Sequence, residues 1–341
     1  MRKTLLALLL LAAGGLAQAA VQLKDGHPER YTVVKGDTLW DISGKFLRQP
    51  WKWPEIWHAN PQIENPHLIY PGDVLSLVYI DGQPRLVLNR GESRGTIKLS
   101  PKVRSTPMAE AIPTIPLEAI NSFLISNRIV DTPEQFQGQP YIVAGNAERV
   151  VSGAGDRVYA RGLLAPDVPV YGIFRQGRTY IDPVTEEFLG INADDIGSGQ
   201  VVAEEGDIAT MALTRSTQEV RLGDRLFPTE ERAINSTFMP SEPSGEIKGL
   251  ILDVPRGVTQ VGQFDVVTIN KGKRDGLAEG NVLAVYKTGE TVRDRVTGET
   301  VKIPDERSGL LMVFRTYDKL SYGLILGATR QLAVLDKVQN P

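Results

Sequence analysis

The 341-residue chain contains no cysteine. No disulfide framework can brace it in an oxidising compartment, no cysteine can carry a lipid anchor, and thiol peptidases and cysteine transpeptidases are excluded. Histidine is nearly as scarce: His27, His58 and His67 are the whole complement, and none follows position 67. The remainder of the chain therefore lacks the ligands of a histidine-bound zinc hydrolase and the base of a Ser-His-Asp triad. His58 and His67 flank a loop without a third ligand at suitable spacing, so no metal site is expected. Excess charge is missing too. With 38 basic against 41 acidic residues and a net of -3, no electrostatic footprint for nucleic acid exists. Gly272, Gly276 and Gly280 precede no helical pattern and read as turn glycines rather than a phosphate loop, so no cofactor is expected. Past the N-terminus no run is long and apolar enough to span a bilayer.

What is present begins with an export signal. Arg2 and Lys3 form a basic start, Leu5 to Leu11 is almost unbroken aliphatic, and Ala17-Gln18-Ala19 is a small-x-small cleavage site. Residues 1–19 read as a signal peptide cut after Ala19, since the apolar stretch is shorter than the ~20 residues of a spanning anchor and Gly14 and Gly15 interrupt it. The expected product is Sec-exported and not lipidated. Its 322 residues (341 less 19) suit two or three domains.

All four tryptophans, Trp40, Trp51, Trp53 and Trp57, fall in one short segment. There "YTVVKGDTLW" gives a short strand, a Lys-Gly-Asp turn, and an Asp37 or Thr38 cap for a helix over Leu39–Phe46. Pro54 opens a second helix through Trp57, Asn60-Pro61 stops it, and Pro71-Gly72-Asp73 turns into a strand over Val74–Val78. This βααβ order, with "YTVVKGDTLWDIS", "IWHANPQI" and "LIYPGDVLSL" in register, resembles the lysin motif (LysM) family, over residues 28–80 at its widest. The resemblance implies binding of N-acetylglucosamine-containing glycan, peptidoglycan in bacteria, in a shallow groove. Carried across, Gly36, Asp37, Thr38 and Leu39 line one side and Pro61, Ile63, Ile69, Tyr70 and Pro71 the other, with no catalytic residue. The long "LRQPWKWPEIW" connection departs from a compact motif; Trp51 and Trp53 either extend the sugar platform or close a small core.

Residues 83–149 are richer in proline and basic side chains. "RLVLN" and "TIKLS" read as a hairpin whose cationic face either meets anionic polymer or is solvated, and a helical piece is expected over 117–127. Beyond it, "VYGIFR" at 170 aligns with "VLAVYK" at 282, and the same 112-residue separation relates Ile208–Leu226 to Leu320–Val338. A small insertion is expected between these blocks. The predicted fold class is α+β: the lysin motif, then a mainly β region of two internally repeated small barrels or sandwiches, 150–235 and 245–341. One large duplicated β-domain is the alternative.

An enzyme would have only paired carboxylates to use, and Glu186-Glu187, Asp194-Asp195 and Glu204-Glu205 read as solvated turns. As a whole the chain is similar to the family of lysin-motif proteins associated with the type IV pilus secretin, whose C-terminal half resembles that of a flagellar ring protein. That similarity implies a non-enzymatic periplasmic protein near the outer membrane. It would bind peptidoglycan and brace the secretin, with a ring-like multimer around it as one arrangement; a wall-binding accessory of a peptidoglycan hydrolase is the alternative.

Overall fold

The computed structural model describes residues 21–57, 69–89, 115, 120, 123, 127–146, 151–229, 238–254 and 260–341. Two compact units result, Met1–Thr114 and Ile115–Pro341. The signal peptide, "TIKLS" and most of 117–127 lie outside the described residues.

In the first unit, β1 (Arg30–Thr32) is followed by α1 (Leu39–Phe46), α2 (Trp53–Trp57), β2 (Val74–Ile80) and β3 (Gln83–Asn89). Thr38 starts α1 by accepting the Asp41 N–H at 3.1 Å. Leu39, Ile42 and Phe46 share the buried face, and Leu47 breaks the helix in extended geometry ahead of Pro50. All four tryptophans are buried, Trp51 and Trp53 to 3% and 2% exposure. The core alternative is therefore the one realised, because a unit this small needs large side chains to exclude water. "RLVLN" belongs to β3, which pairs with β2 from Val74↔Asn89 to Ile80↔Gln83. The join is Asp81-Gly82, both left-handed (φ 50° and 75°), a turn whose twist matches the strands. Leu86 and Leu88 so complete the core of this unit.

The second unit is almost entirely strand. Its first half carries β4 (Asn127–Val130), β5 (Tyr141–Gly145), β6 (Val151–Ser152), β7 (Arg157–Arg161), β8 (Val170–Ile181), β9 (Phe188–Glu205), β10 (Ile208–Ser216), β11 (Val220–Arg221) and β12 (Arg225–Pro228). Its second half carries β13 (Lys248–Asp253), β14 (Gln260–Val261), β15 (Val266–Ile269), β16 (Val282–Lys287), β17 (Thr291–Arg293), β18 (Thr300–Lys302), β19 (Glu306–Thr316), β20 (Ser321–Ala328), β21 (Leu332–Ala333) and β22 (Lys337–Gln339). In the first half the order β10-β7-β5-β12-β8-β9 closes through a β9–β10 pairing, with β4 added to β9. In the second, β13-β15-β20-β19-β16-β22 closes in the same strand order, β13 standing for β5 and β22 for β12. Val170 pairs with Gln200 as Val282 pairs with Met312, and Met211 with Val201 as Gly323 with Val313. The 112-residue offset thus runs unbroken from β8 onward. The expected insertion is not there; the offset changes upstream, where Val158 answers to Val267.

The two ring interiors reach similar packing by opposite choices at one place. In the first, Gly199 leaves room for the Met211 methyl, 3.3 Å from where a Cβ would stand. In the second the positions are exchanged: Leu311 occupies the equivalent of Gly199 and lies 2.8 Å from a Cβ built on Gly323, the equivalent of Met211. A long side chain is needed from one strand and none from the other, so total volume is kept.

Polar contacts join the halves around the β8–β9 hairpin. Asn270 donates to Asp182 at 2.7 Å. Arg274 grips Glu187 through two bonds of 2.6 and 2.7 Å, and Lys319 reaches the same carboxylate at 2.8 Å. Tyr180 and Arg178 both bond Asp253. The Arg274 and Lys319 bonds hold the Glu187 carboxyl at about 2, well below the ordinary carboxylate range. Burial pushes Asp182 upward, but the Val184 and Thr185 amides and Asn270 outweigh it and leave it lowered.

Two outcomes follow from this packing. Met211→Gly is expected to destabilise the second unit by about 2–5 kcal/mol and Gly199→Leu by about 1–3 kcal/mol. The double substitution should recover much of the loss in a denaturant double-mutant cycle. Glu187 contributes stability fully above its unfolded value of 4.5, and that contribution is lost as pH falls through about 2. The thermal midpoint of the second unit should fall over that window, and Glu187→Gln should flatten this part of the profile.

Candidate functional site

Two turns in the first unit share one construction. In Val34-Lys35-Gly36-Asp37, the Asp37 N–H donates to the Val34 carbonyl at 3.2 Å, and the Val34 N–H donates to Asp37 Oδ2 at 2.9 Å. In Tyr70-Pro71-Gly72-Asp73, the Asp73 N–H donates to the Tyr70 carbonyl and the Tyr70 N–H to Asp73 Oδ2, both at 3.0 Å. Gly36 and Gly72 sit at φ 97° and 100°, where a side chain is strained although space for a Cβ is open. Val33 ties the turns together: its N–H donates to the Asp73 carbonyl at 2.9 Å and its carbonyl accepts from the Gly72 N–H at 2.8 Å. Two turns far apart in the chain are thus clamped side by side by two main-chain bonds.

Tyr31 adds a brace. Its hydroxyl donates to Asp37 Oδ2 at 2.9 Å. Burial, then the bond to Asp37, push the phenol up to about 12, so it remains a donor across the physiological range. Thr38 is 5% exposed; besides capping α1 it donates its hydroxyl to Asp41 Oδ2 at 2.7 Å. Its side chain is committed to the helix. Leu39 and Ile69 are buried in the core and offer main chain alone. Gly36 and Pro71 are exposed, and Asp37 and Tyr70 half-buried, at the mouth between the turns. Pro61 and Ile63 lie outside the described residues. Tyr31, Val33, Val34 and Asp73 hold the site and were not singled out from sequence, although the shared x-x-Gly-Asp pattern was there to be read.

The carboxylates at these turns point inward onto amides. The exposed residues of the two turns are Val34, Lys35, Gly36, Pro71 and Gly72. With both turn carboxylates engaged on amides, the mouth suits a neutral, amide-bearing ligand better than a cationic one.

The carboxyl pairs of the second unit are not paired in space. Asp195 is buried and takes two bonds from Arg215, at 2.6 and 2.7 Å, while Asp194 accepts from Asn192 at 2.6 Å and is raised by burial. Neighbours along a strand point to opposite faces. Glu204 and Glu205 are solvated as expected, though at the end of β9 rather than in a turn; the expectation of solvation fails for Asp195 and for Glu187, which sits in the ion network described above. Among the described residues no group of three or more His, Cys, Asp or Glu side chains could hold a metal ion, and no helix is long and apolar enough to cross a membrane.

Residues 31–78 match the LysM domain family. The chain therefore carries a module of the peptidoglycan- and glycan-binding type, which is not itself catalytic. A protein of Bacillus subtilis (strain 168), described as uncharacterized protein YqbP, is 43% identical over 60 residues, which is 15% of this chain and 27% of that protein. The chain thus spans about a quarter of the length of this relative.

Replacement of Asp73 by alanine leaves the Tyr70 N–H without its acceptor and should cost about 1–3 kcal/mol. Amide exchange should report it first as lost protection at Tyr70 and Gly72, with the second unit unchanged.

Proposed function

We propose that the chain is a non-enzymatic, exported envelope protein that grips peptidoglycan through the mouth between the two Gly-Asp turns and braces an outer-membrane secretin of the type IV pilus machinery with its β-rich unit. The observation that carries the first half is the cross-linked pair of turns: they present fixed main-chain donors and acceptors, with Tyr70 and Pro71 beside them, to a ligand that must be neutral. An N-acetylglucosamine residue fits that description, its acetamide meeting main-chain groups and its methyl meeting small apolar surface. In this reading Gly36, Asp37, Thr38, Leu39, Ile69, Tyr70 and Pro71 form the described part of the site, with Leu39 and Ile69 acting through their backbone, and Pro61 and Ile63 complete it.

The second half rests on the order of parts, a wall-binding unit first and a separately packed β unit after it, in a chain with no cysteine to carry a lipid. Several copies around a pore would add weak sugar contacts into a firm tether. The rings act as two duplicated domains held rigid by the Asp182 and Glu187 contacts.

Both halves are separable by experiment. Tyr70→Ala should weaken co-sedimentation with purified sacculi about tenfold, equivalent to ~1.4 kcal/mol, without changing thermal unfolding; unchanged binding would remove the site assignment. The β unit, tagged within the full chain and purified from detergent-solubilised envelopes, should enrich secretin over other outer-membrane proteins. Enrichment of a wall hydrolase in its place would make the protein an accessory to that enzyme, and release of muropeptides from sacculi would make it an enzyme itself.

A further inference from the structure

The β8–β9 hairpin of the first ring and the β17–β18 hairpin of the second share one turn. Asp182 and Asp294 each accept through Oδ1 the amide two residues on, from Val184 and Val296, at 2.8 Å. Each donates its own amide, at 2.8 Å, to the carbonyl of Glu187 or Glu299. Glu186 and Gly298 are both left-handed and both donate back to the aspartate carbonyl at 2.9 Å. Their situations differ. The first hairpin is seated on the second ring through Asn270, Arg274 and Lys319. The second has every residue of both strands exposed, with Val296 at its tip 94% exposed, and among the described residues no ion pair leads from it to another element.

The substitutions that distinguish the two hairpins are charged. Arg293, Arg295 and Lys302 stand where the first hairpin has Ile181, Pro183 and Gly190. The place on the first ring that corresponds to the occupied seat has diverged in the opposite sense. Glu204, Glu205 and Asp207, all exposed, stand where the seat has Thr316, Tyr317 and Lys319. Arg161, paired with Asp207 at 2.9 Å, stands where the seat has Asn270. The seated contact sets hairpin acids against seat cations; the unseated pair of surfaces sets hairpin cations against seat acids.

We propose that the β17–β18 hairpin of one chain docks on the β9–β10 turn and the end of β7 of a second copy, in the orientation that the β8–β9 hairpin adopts within the chain. Asp294 then meets Arg161 as Asp182 meets Asn270, while Arg293, Arg295 and Lys302 meet the acids of the β9–β10 turn. Glu299 keeps the place of Glu187 and shares the Arg161 cation with Asp207. Hairpin and seat lie on different rings, so the contact is heterologous. Copies associate head to tail, and the rotation per step decides between a closed ring and a filament. This inference stands apart from the wall-binding and secretin readings, since sacculus binding can be lost with the contact intact.

Sedimentation velocity of the full mature chain over a concentration series tests it. The unaltered chain is expected to self-associate, more strongly at low salt. The R293E/R295E/K302E variant is expected to remain monomeric, as is a chain carrying Glu204→Lys, Glu205→Lys and Asp207→Lys, and mixing the two should restore association as an alternating co-assembly. Because the chain has no native cysteine, D294C and R161C placed in one chain should form disulfide-linked ladders on oxidation, while either alone should not. A strictly monomeric unaltered chain, association that survives the hairpin reversal, or a dimer from D294C alone would each overturn the proposal.

Discussion

One local device recurs throughout this protein: an aspartate that accepts, on its side chain, the amide three residues before it, while its own amide donates back to that residue's carbonyl. Val34/Asp37, Tyr70/Asp73, Gly153/Asp156, Arg221/Asp224, Gly262/Asp265 and Ala333/Asp336 are all built this way. In all six the residue before the aspartate is left-handed, and in four it is glycine: Gly36, Gly72, Gly155 and Gly223. In the first unit the device builds the two turns that Val33 holds together. In the second it sets the turns from which the ring strands depart. A chain without disulfides gains defined turns from this charge-assisted closure, which satisfies a backbone donor at each bend.

Duplication makes the constraint visible by varying it. The second ring keeps the turn geometry of the first but places Phe264 and Leu335 where the first has Gly155 and Gly223, at φ 68° and 72°. Bulky side chains pay for that backbone conformation with strain of order 1–2 kcal/mol each, so the turn is imposed by the surrounding hydrogen bonds rather than by local preference. The interior shows the same latitude in the exchange of Gly199 and Met211 for Leu311 and Gly323: the strand order is retained while the occupants trade places.

The two units divide the work by the kind of surface each exposes. The first engages the Asp37 and Asp73 carboxylates on its own turn amides. The second also uses carboxylates across its halves, Asp182 and Glu187 fixing one ring against the other, and the equivalent hairpin of the second ring differs from this one chiefly in charge. The proposed sugar binding and head-to-tail assembly would be complementary under this division, because copies held in an array need little affinity apiece.

Sequence alone determined the first unit closely. The helix over Leu39–Phe46, its Thr38 cap, the strand from Val74 and the glycine turns are local events within a few residues, governed by capping, periodicity and left-handed geometry. The 112-residue repeat was equally legible, since duplication leaves its mark in order and spacing. What sequence could not supply were pairings between distant segments. "RLVLN" joined β2 across Asp81-Gly82; Trp51 and Trp53 turned into the core; Asp195 found Arg215; and Glu187, which looked like a solvated turn residue, became the anchor between rings through Arg274 and Lys319. Each of these depends on which chemically suitable partner the closed ring brings within reach. Alternating strands present many equivalent candidates, so tertiary closure decides among them where local chemistry does not.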